Sequence, residues 1–230
     1  IRKKGQTVVE PVDGELATRH TGKGRLPNFN VIINEIRKLL HINLPLENKK
    51  VLVTAGPTQE AIDTVRYISN RSSGKMGYSI ASACKNYGAE VTLISGPVSL
   101  LPETGIECLN VDTNKDMLEC MDNQISSNHY DYVYMAAAVS DYKPKNFSNK
   151  KIKRSKSSMS IDLEPCADII KTISSKVKGK LIAFALESED GDSEAKRKLK
   201  DKGADFIVLN HHNKNEKALE SDTNHVFVID

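Results

Sequence analysis

Residues 51–77 read VLVTAGPTQEAIDTVRYISNRSSGKMG, and this stretch decides the fold. The apolar run Val51-Leu52-Val53 gives way at Thr54-Ala55-Gly56-Pro57 to a polar loop of about twenty residues. Ser72-Ser73-Gly74-Lys75-Met76-Gly77 then opens a segment with apolar residues at Met76, Ile80, Ala83, Cys84 and Tyr87. That spacing predicts one face of a helix. The reading is strand, long loop, helix, with small residues and hydroxyls at the helix entrance. Unpaired N–H groups and the positive end of the helix dipole make such an entrance suitable for phosphate. Glycines there would let the backbone approach an anion closely. Neither common nucleotide fingerprint fits. Gly56-Pro57-Thr58 supplies no later glycine of a dinucleotide motif. No glycine stands five residues before Gly74, and Met76 replaces the P-loop Ser or Thr. A strand-to-helix loop this long is unusual and suggests function, with a surface loop carrying no site as the alternative.

Working outward, the chain alternates strands with helices. Strands are predicted at Glu90–Ser95, Ile106–Val111, Tyr130–Met135, Met159–Leu163, Lys180–Leu186, Asp205–Leu209 and Val226–Ile229. Thr113 and Asp116 have the spacing of a capping box for a helix to about Ile125. Further helices are predicted at Ala167–Val177 and, strongly charged, at Ser193–Lys202 before Gly203. The pattern implies an α/β protein with a Rossmann-like, mostly parallel sheet covered by helices on both faces. Ligands of such sheets bind beyond the carboxyl ends of the strands, which singles out the loops after Val53, Ser95, Met135, Leu186 and Leu209. Upstream, Phe29, Ile32, Ile33, Ile36, Leu39 and Leu40 describe an amphipathic helix. Residues 1–28 are rich in Gly, Lys and Arg with little periodicity, and composition alone reads them as a linker. The expected division is a tail and linker helix over residues 1–48 and a main domain over 49–230.

The 230 residues can bury a sizeable core, and the formal net charge of +3 is too small to argue for nucleic acid or a membrane surface. Local basic clusters point instead to small anions. Cys84, Cys108, Cys120 and Cys166 lie far apart without metal-ligand spacing, so free thiols in a reducing, cytoplasmic compartment are expected. No apolar run approaches a membrane span, and no signal peptide is visible. A chain that begins at Ile1 reads as a fragment of a longer protein.

Residues 55–77 also resemble the opening signature of bacterial phosphopantothenate–cysteine ligases (phosphopantothenoylcysteine synthetases), the C-terminal half of the bifunctional coenzyme A biosynthesis protein. Two further signatures follow in order. Ala136-Ala137-Ala138-Val139-Ser140-Asp141-Tyr142 resembles the second, and the basic run Lys150-Lys151-Ile152-Lys153-Arg154 the third. The resemblance implies that Gly56 and Ser72, Ser73, Gly74 and Gly77 meet nucleotide phosphates. It implies that Arg66, Ala137 and Ala138 lie near phosphopantothenate, and that Asp141 binds substrate or nucleotide. Asn70 matches the asparagine needed when the activated acyl group passes to cysteine. A neutral amide can donate to a developing oxyanion without adding a proton to manage. Lys151 matches the lysine that promotes acyl-nucleotide formation, stabilising charge at the α-phosphate. The polar flanks of that run suggest a flap that closes over substrate.

Other matches are less specific. Cys166-Ala167-Asp168-Ile169 stands where the family lines the nucleotide, although Asp168 could equally cap a helix. Phe184 matches an aromatic near the base, or is a core residue of a buried strand. Lys198 and Lys202, four apart, match two nucleotide-binding lysines or form a solvated helix face. Taken singly, Asp141 reads as a turn residue and the basic run as solvated.

What the resemblance implies is ligation of 4′-phosphopantothenate to L-cysteine through an acyl-cytidylate, with CTP as co-substrate, magnesium as its counter-ion, and a homodimer. Gly14-Glu15-Leu16-Ala17 resembles the tail of the flavin-dependent decarboxylase half, where a catalytic cysteine follows; here Thr18 stands in its place. FMN is therefore expected only with an intact decarboxylase half upstream. Two other classes stay open from the residues: a nucleotide-dependent oxidoreductase and a non-catalytic Rossmann-like nucleotide-binding module. The incomplete dinucleotide fingerprint weighs against the first. Retention of Asn70, Asp141 and Lys151 weighs against the second.

Overall fold

The computed structural model describes residues 5–16, 20–40, 43–154, 158–187, 197, 199–211 and 226–230. The chain opens with an antiparallel hairpin of β1 (Val12–Glu15) and β2 (Thr21–Arg25). Composition had pointed to a linker here. The ribbon escapes sequence reading because Gly14, Gly22 and Gly24 interrupt any alternation; the Leu16 side chain lies over Gly22 and Gly24. Helix α1 (Phe29–Leu39) follows, with the Asn28 side chain accepting from the Asn30 N–H at 3.0 Å. Its apolar stripe is as expected, but none of its residues is buried.

The main sheet begins with β3 (Lys50–Ala55). Two short strands, β4 (Gln59–Ala61) and β5 (Tyr67–Ser69), then pair as a hairpin inside the stretch that sequence reading left as a loop. Three residues a strand are too few to show a period. Helix α2 (Lys75–Asn86), β6 (Glu90–Ser95), β7 (Glu107–Asn110), α3 (Asn114–Ser127) and β8 (Tyr132–Met135) follow. Next, β9 (Tyr142–Pro144) and β10 (Leu163–Pro165) pair antiparallel, so the strand expected at 159–163 lies further along. Helix α4 (Ile169–Ile173) continues as a 3-10 turn, Ser174–Lys176, in place of the longer helix expected over 167–177. Finally come β11 (Lys180–Glu187), β12 (Phe206–His211) and β13 (Val226–Ile229). Of the charged helix expected at 193–202, residues 193–196 and Lys198 lie outside the described residues.

Strand order in the seven-stranded sheet is β13-β12-β11-β8-β3-β6-β7, parallel except for β13, which runs antiparallel to β12. This is the expected mostly parallel α/β sheet. The order reverses at β3: the chain walks to β6 and β7 on one side, then returns to β8 and β11 on the other. The crevice between the carboxyl ends of β3 and β8 is therefore the topological switch point.

Alternate residues of the central strand feed two cores. Val51, Val53 and Ala55 pack with Ala81 and Cys84 of α2. Leu52 packs on the other face with Ile94, Met117, Met121, Ile169 and Ile173, under α3 and α4. The buried face of α2 is Gly77, Ala81 and Cys84, shifted from the face expected from the bulkier residues; Tyr87 is exposed. Gly77 explains the shift. A Cβ there would lie 2.5 Å from Ala55 Cβ and 2.9 Å from Thr54 O, so α2 sits almost backbone to backbone on β3. Burial pushes the Cys84 thiol up to about 11, and all four cysteines are free.

The N-terminal edge of the sheet is tied by two similar devices. Asp131 accepts from Lys49 Nζ at 2.9 Å and from the Lys50 N–H at 2.9 Å, joining the starts of β8 and β3. Asp205 accepts from Lys180 Nζ at 2.6 Å and from the Leu181 N–H at 2.9 Å, joining the starts of β12 and β11. No helix among the described residues is long and apolar enough to cross a membrane.

Candidate functional site

Beyond the carboxyl ends of β8 and β11 lies an open cleft of about 350 Å³. Its walls include Ala137, Ala138, Asp141, Cys166, Ala167, Asp168, Ile169, Phe184 and Lys202. Nine residues singled out from separate stretches of sequence thus share one cleft. Val139 and Ser140 of the second signature line it too, as do Asn114 and Ile207, which no motif marks. Asp168 lines the cleft and caps α4 by accepting from the Lys171 N–H at 3.1 Å. Phe184 is half-buried on β11 at the cleft wall. Burial, with help from the nearby Glu60 carboxylate, raises the Cys166 thiol above its ordinary range. Lys198 lies outside the described residues.

The cleft walls are held by polar groups sealed from water. Thr54 and Thr58 are fully buried. Thr54 Oγ1 accepts from the Ala137 N–H at 3.2 Å, and Thr58 Oγ1 accepts from the Ser140 N–H at 2.9 Å. The Ala138 N–H donates to Gly56 O at 2.8 Å. Glu60, 5% exposed, accepts from the Asn114 N–H at 2.7 Å. Asn114 Nδ2 in turn donates to Ser140 O at 3.3 Å and Ala167 O at 3.2 Å, bridging the two walls. Without partners each of these buried groups would carry the full cost of its lost hydration. The Thr113–Asp116 capping box starts α3 with both reciprocal bonds, as its spacing predicts, and so presents Asn114 to this network.

A second group of candidates surrounds the end of β3 and the β4–β5 hairpin. Gly56 and Gly74 both have positive φ, +74° and +76°, and a Cβ on Gly74 would lie 3.5 Å from Gly56 N. At Gly96, a Cβ would overlap Pro57 O. These glycines are explained by close packing of three backbone segments, in addition to any approach of an anion. Gly74, at the cap position of α2, has no side chain to bond the helix. Ser72 and Ser73 just before it take that role, their hydroxyls accepting from the Gly74 N–H at 3.3 Å and the Lys75 N–H at 3.5 Å.

Asn70 links the two groups. Its Nδ2 donates to Val139 O at 2.8 Å and sits 3.4 Å from Ala138 O, reaching from the end of β5 to the cleft wall. Arg66 is engaged within the hairpin. Its Nη1 donates to Asp63 at 2.8 Å and to Ile152 O at 3.0 Å. Asp63 is 2% exposed and collects four bonds. Oδ1 accepts from the N–H groups of Val65 at 2.7 Å and Arg66 at 2.8 Å. Oδ2 accepts from Arg66 Nη1 and from the Ile152 N–H at 3.0 Å. The Ile152 N–H does most to hold the carboxyl down at about 2, with Val65, Arg66 and the guanidinium adding to it against burial. Lys151, exposed and next to Ile152, stands off the cleft wall. The basic run, expected as a flap, is thus seated on the hairpin, with the Ser148 N–H also donating to Ile62 O at 3.1 Å.

Chemically, the cleft offers backbone groups, two carboxylates (Asp141 and Asp168), an aromatic ring and a lysine. Among the described residues no three His, Cys, Asp or Glu side chains gather to hold a metal.

Comparison with known proteins identifies the family. The family model for the C-terminal domain of DNA/pantothenate metabolism flavoproteins matches residues 46–230. The coenzyme A biosynthesis bifunctional protein CoaBC of Bacillus subtilis (strain 168) is 40% identical over 233 residues, covering 100% of this chain and 57% of its own. A cysteine/cysteine sulfinic acid decarboxylase from an unknown prokaryotic organism is 39% identical over 238 residues, covering 100% of this chain and 66% of its own. The chain therefore spans less than two thirds of the length of these curated relatives. A crystal structure of the C-terminal domain of a coenzyme A biosynthesis bifunctional protein CoaBC superposes with a TM-score of 0.65 at 38% identity, over 80% of this chain and 87% of that one. With more than half its length matched by the family model, the chain belongs to the family of DNA/pantothenate metabolism flavoprotein C-terminal domains.

Proposed function

We propose that this chain is a phosphopantothenate–cysteine ligase of coenzyme A biosynthesis that uses CTP. The observation that carries the reading is the convergence of residues from the second signature (Ala137, Ala138, Asp141), from Cys166–Ile169 and from Phe184 and Lys202 on one cleft beside the switch point. Family membership and the similarity to a CoaBC C-terminal domain support it.

The chemistry runs in two steps. A carboxylate oxygen of 4′-phosphopantothenate attacks the α-phosphate of CTP; the bond to the β-phosphate breaks, and pyrophosphate leaves. The amine of cysteine then attacks the acyl carbon of the mixed anhydride, CMP departs, and the amine proton passes to solvent. The first step is needed because a carboxylate does not condense with an amine in water. In this reading the nucleotide lies in the cleft, with Phe184 against the base and Lys202 toward the phosphates. The entrance of α2, from Ser72 to Gly77 and beside Gly56, supplies N–H groups to an anion. Lys151 stabilises charge on the α-phosphate during transfer. Asn70 donates to the oxyanion formed when cysteine attacks, while Arg66, Ala137, Ala138 and Asp141 orient the acyl substrate. A magnesium ion held mainly by the triphosphate would neutralise part of its charge. No step uses FMN, which belongs to a decarboxylase half if one stands upstream. The same reading makes the protein a cytoplasmic homodimer whose partner residues complete the pantothenate side.

The test is pyrophosphate release from the purified chain with 4′-phosphopantothenate, magnesium and either CTP or ATP, with and without cysteine. CTP-dependent release that turns over rapidly only with cysteine is expected. A folded sample that releases none with either nucleotide overturns the reading in favour of a binding module. Asn70→Ala should still release pyrophosphate yet form little amide, and normal amide formation would refute its assignment.

A further inference from the structure

Asp63 and Arg66 together grip both main-chain polar groups of one residue far away in sequence. Asp63 Oδ2 takes the Ile152 N–H, and Arg66 Nη1 gives to the Ile152 carbonyl, at 3.0 Å each. The bond between Arg66 Nη1 and Asp63 Oδ2 closes the ring. The pair acts as a piece of sheet edge built from side chains. Beside it, Asp63 and Ser148 form a true, isolated parallel bridge. Asp63 is itself fixed, because its other oxygen is held by the turn N–H groups of Val65 and Arg66. The hairpin that carries this grip ends at Ser69, and the next residue is Asn70, whose amide bonds to Val139 O at the cleft wall. One small hairpin therefore holds the neighbour of Lys151 on one side and Asn70 on the other.

We infer that Asp63 is a positioning residue that sets Lys151 relative to Asn70 by clamping the main chain at Ile152 to the β4–β5 hairpin. This rests on the ligase reading above. Asp63 touches no reacting atom. Its contribution is to fix the main chain beside a lysine whose own side chain remains exposed. Positional errors of about an ångström can cost on the order of 10²-fold in rate, so a clamp of this kind matters even away from the chemistry.

The decisive variant is Asp63→Asn. Its carbonyl oxygen can keep both turn bonds to Val65 and Arg66. Its NH₂ group then faces two donors, the Ile152 N–H and Arg66 Nη1, and the clamp alone is lost. The expected result is a fall of about 10- to 10²-fold in kcat for pyrophosphate release, with KM for CTP nearly unchanged because the cleft is built from other elements. Trypsin should cut the Lys150–Arg154 run faster than in the parent chain. In a Lys151→Ala background, Asp63→Asn should cost less than about 2-fold further, because both changes act through one group. Additive losses would overturn the inference, as would normal turnover of Asp63→Asn. If that variant does not fold, Ile152→Pro removes the same N–H from the other partner and should give the same loss of kcat; normal turnover there also overturns the inference. An inactive parent chain would strike the ligase reading itself. An active parent, a slow Lys151→Ala and a normal Asp63→Asn would strike only the clamp.

Discussion

At the N-terminal edge of the sheet, Asp131 and Asp205 join neighbouring strands through ion pairs that water reaches. At the carboxyl edge, Thr58, Glu60, Asp63, Asn114 and Ser140 join loops through hydrogen bonds that water does not reach. The Lys49 and Asp131 side chains keep 45% and 22% of their exposure; Arg66 keeps 41%, but the Asp63 carboxylate it pairs with keeps none. Both edges solve the same problem, holding chain segments side by side. They differ in what breaking a link costs. An exposed pair can exchange its partner for water, so the net contribution is small. A sealed donor or acceptor has no such exchange and carries its whole desolvation cost. The site is built where links are least replaceable, and the walls of the cleft inherit that rigidity.

The largest effect expected of any single change is at Lys151. Lys151→Ala should lower pyrophosphate release by about 10²- to 10³-fold while the melting temperature stays within a degree or so, since the side chain is exposed. Steady-state assay beside calorimetry checks both halves. At the packed centre, Gly77→Ala forces a methyl against Ala55 and Thr54 O and should cost about 1–3 kcal/mol by urea unfolding. Thr58→Val keeps the shape and leaves the buried Ser140 N–H unpaired, at about 1–3 kcal/mol; it should also raise KM for CTP, because Ser140 lines the cleft. An acid titration separates the edges further. Asp63 titrates at about 2 in the folded protein and at about 3.9 when unfolded. Its contribution is therefore complete above that unfolded value and disappears as pH falls through 2. The urea midpoint of Asp63→Asn should accordingly change less between pH 4 and 2 than that of the parent. Smallest of all, Asp131→Asn at the opposite edge should lower the melting temperature by about 2 °C or less and leave turnover unchanged. A loss as large as that of Thr58→Val would erase the distinction between the edges.

The same distinction marks what the amino-acid order revealed. Strands β3, β6 and β11 are apolar runs bounded by breakers, and α3 carries its capping box in four residues, so local chemistry alone exposes them. The hairpin β4–β5 has no such run. Its stability comes from Asp63, whose bond to Ile152 spans 89 positions, and no window of sequence contains both partners. Asn114 is hidden for the same reason: its role is to bond Ser140 and Ala167, and it reads locally as the first residue of a helix. The face of α2 was misread because Gly77 contributes by absence of a side chain, which no apolar pattern registers. The candidate residues themselves became visible only through family signatures. Single positions such as Asp141 or Phe184 carry too little chemistry to stand out.

Seen as a constraint on how the gene can drift, the hold on Ile152 is unusual in what it leaves free. Asp63 and Arg66 engage a peptide N–H and a peptide carbonyl, groups that nearly every amino acid supplies. The side chain at position 152 can therefore change widely without loosening the hold, proline excepted. A codon inserted or deleted between Ser148 and Ile152 has the opposite effect, because it shifts which peptide arrives at the clamp and carries Lys151 away with it. Lineages should tolerate many spellings of the basic run and almost no change in its length.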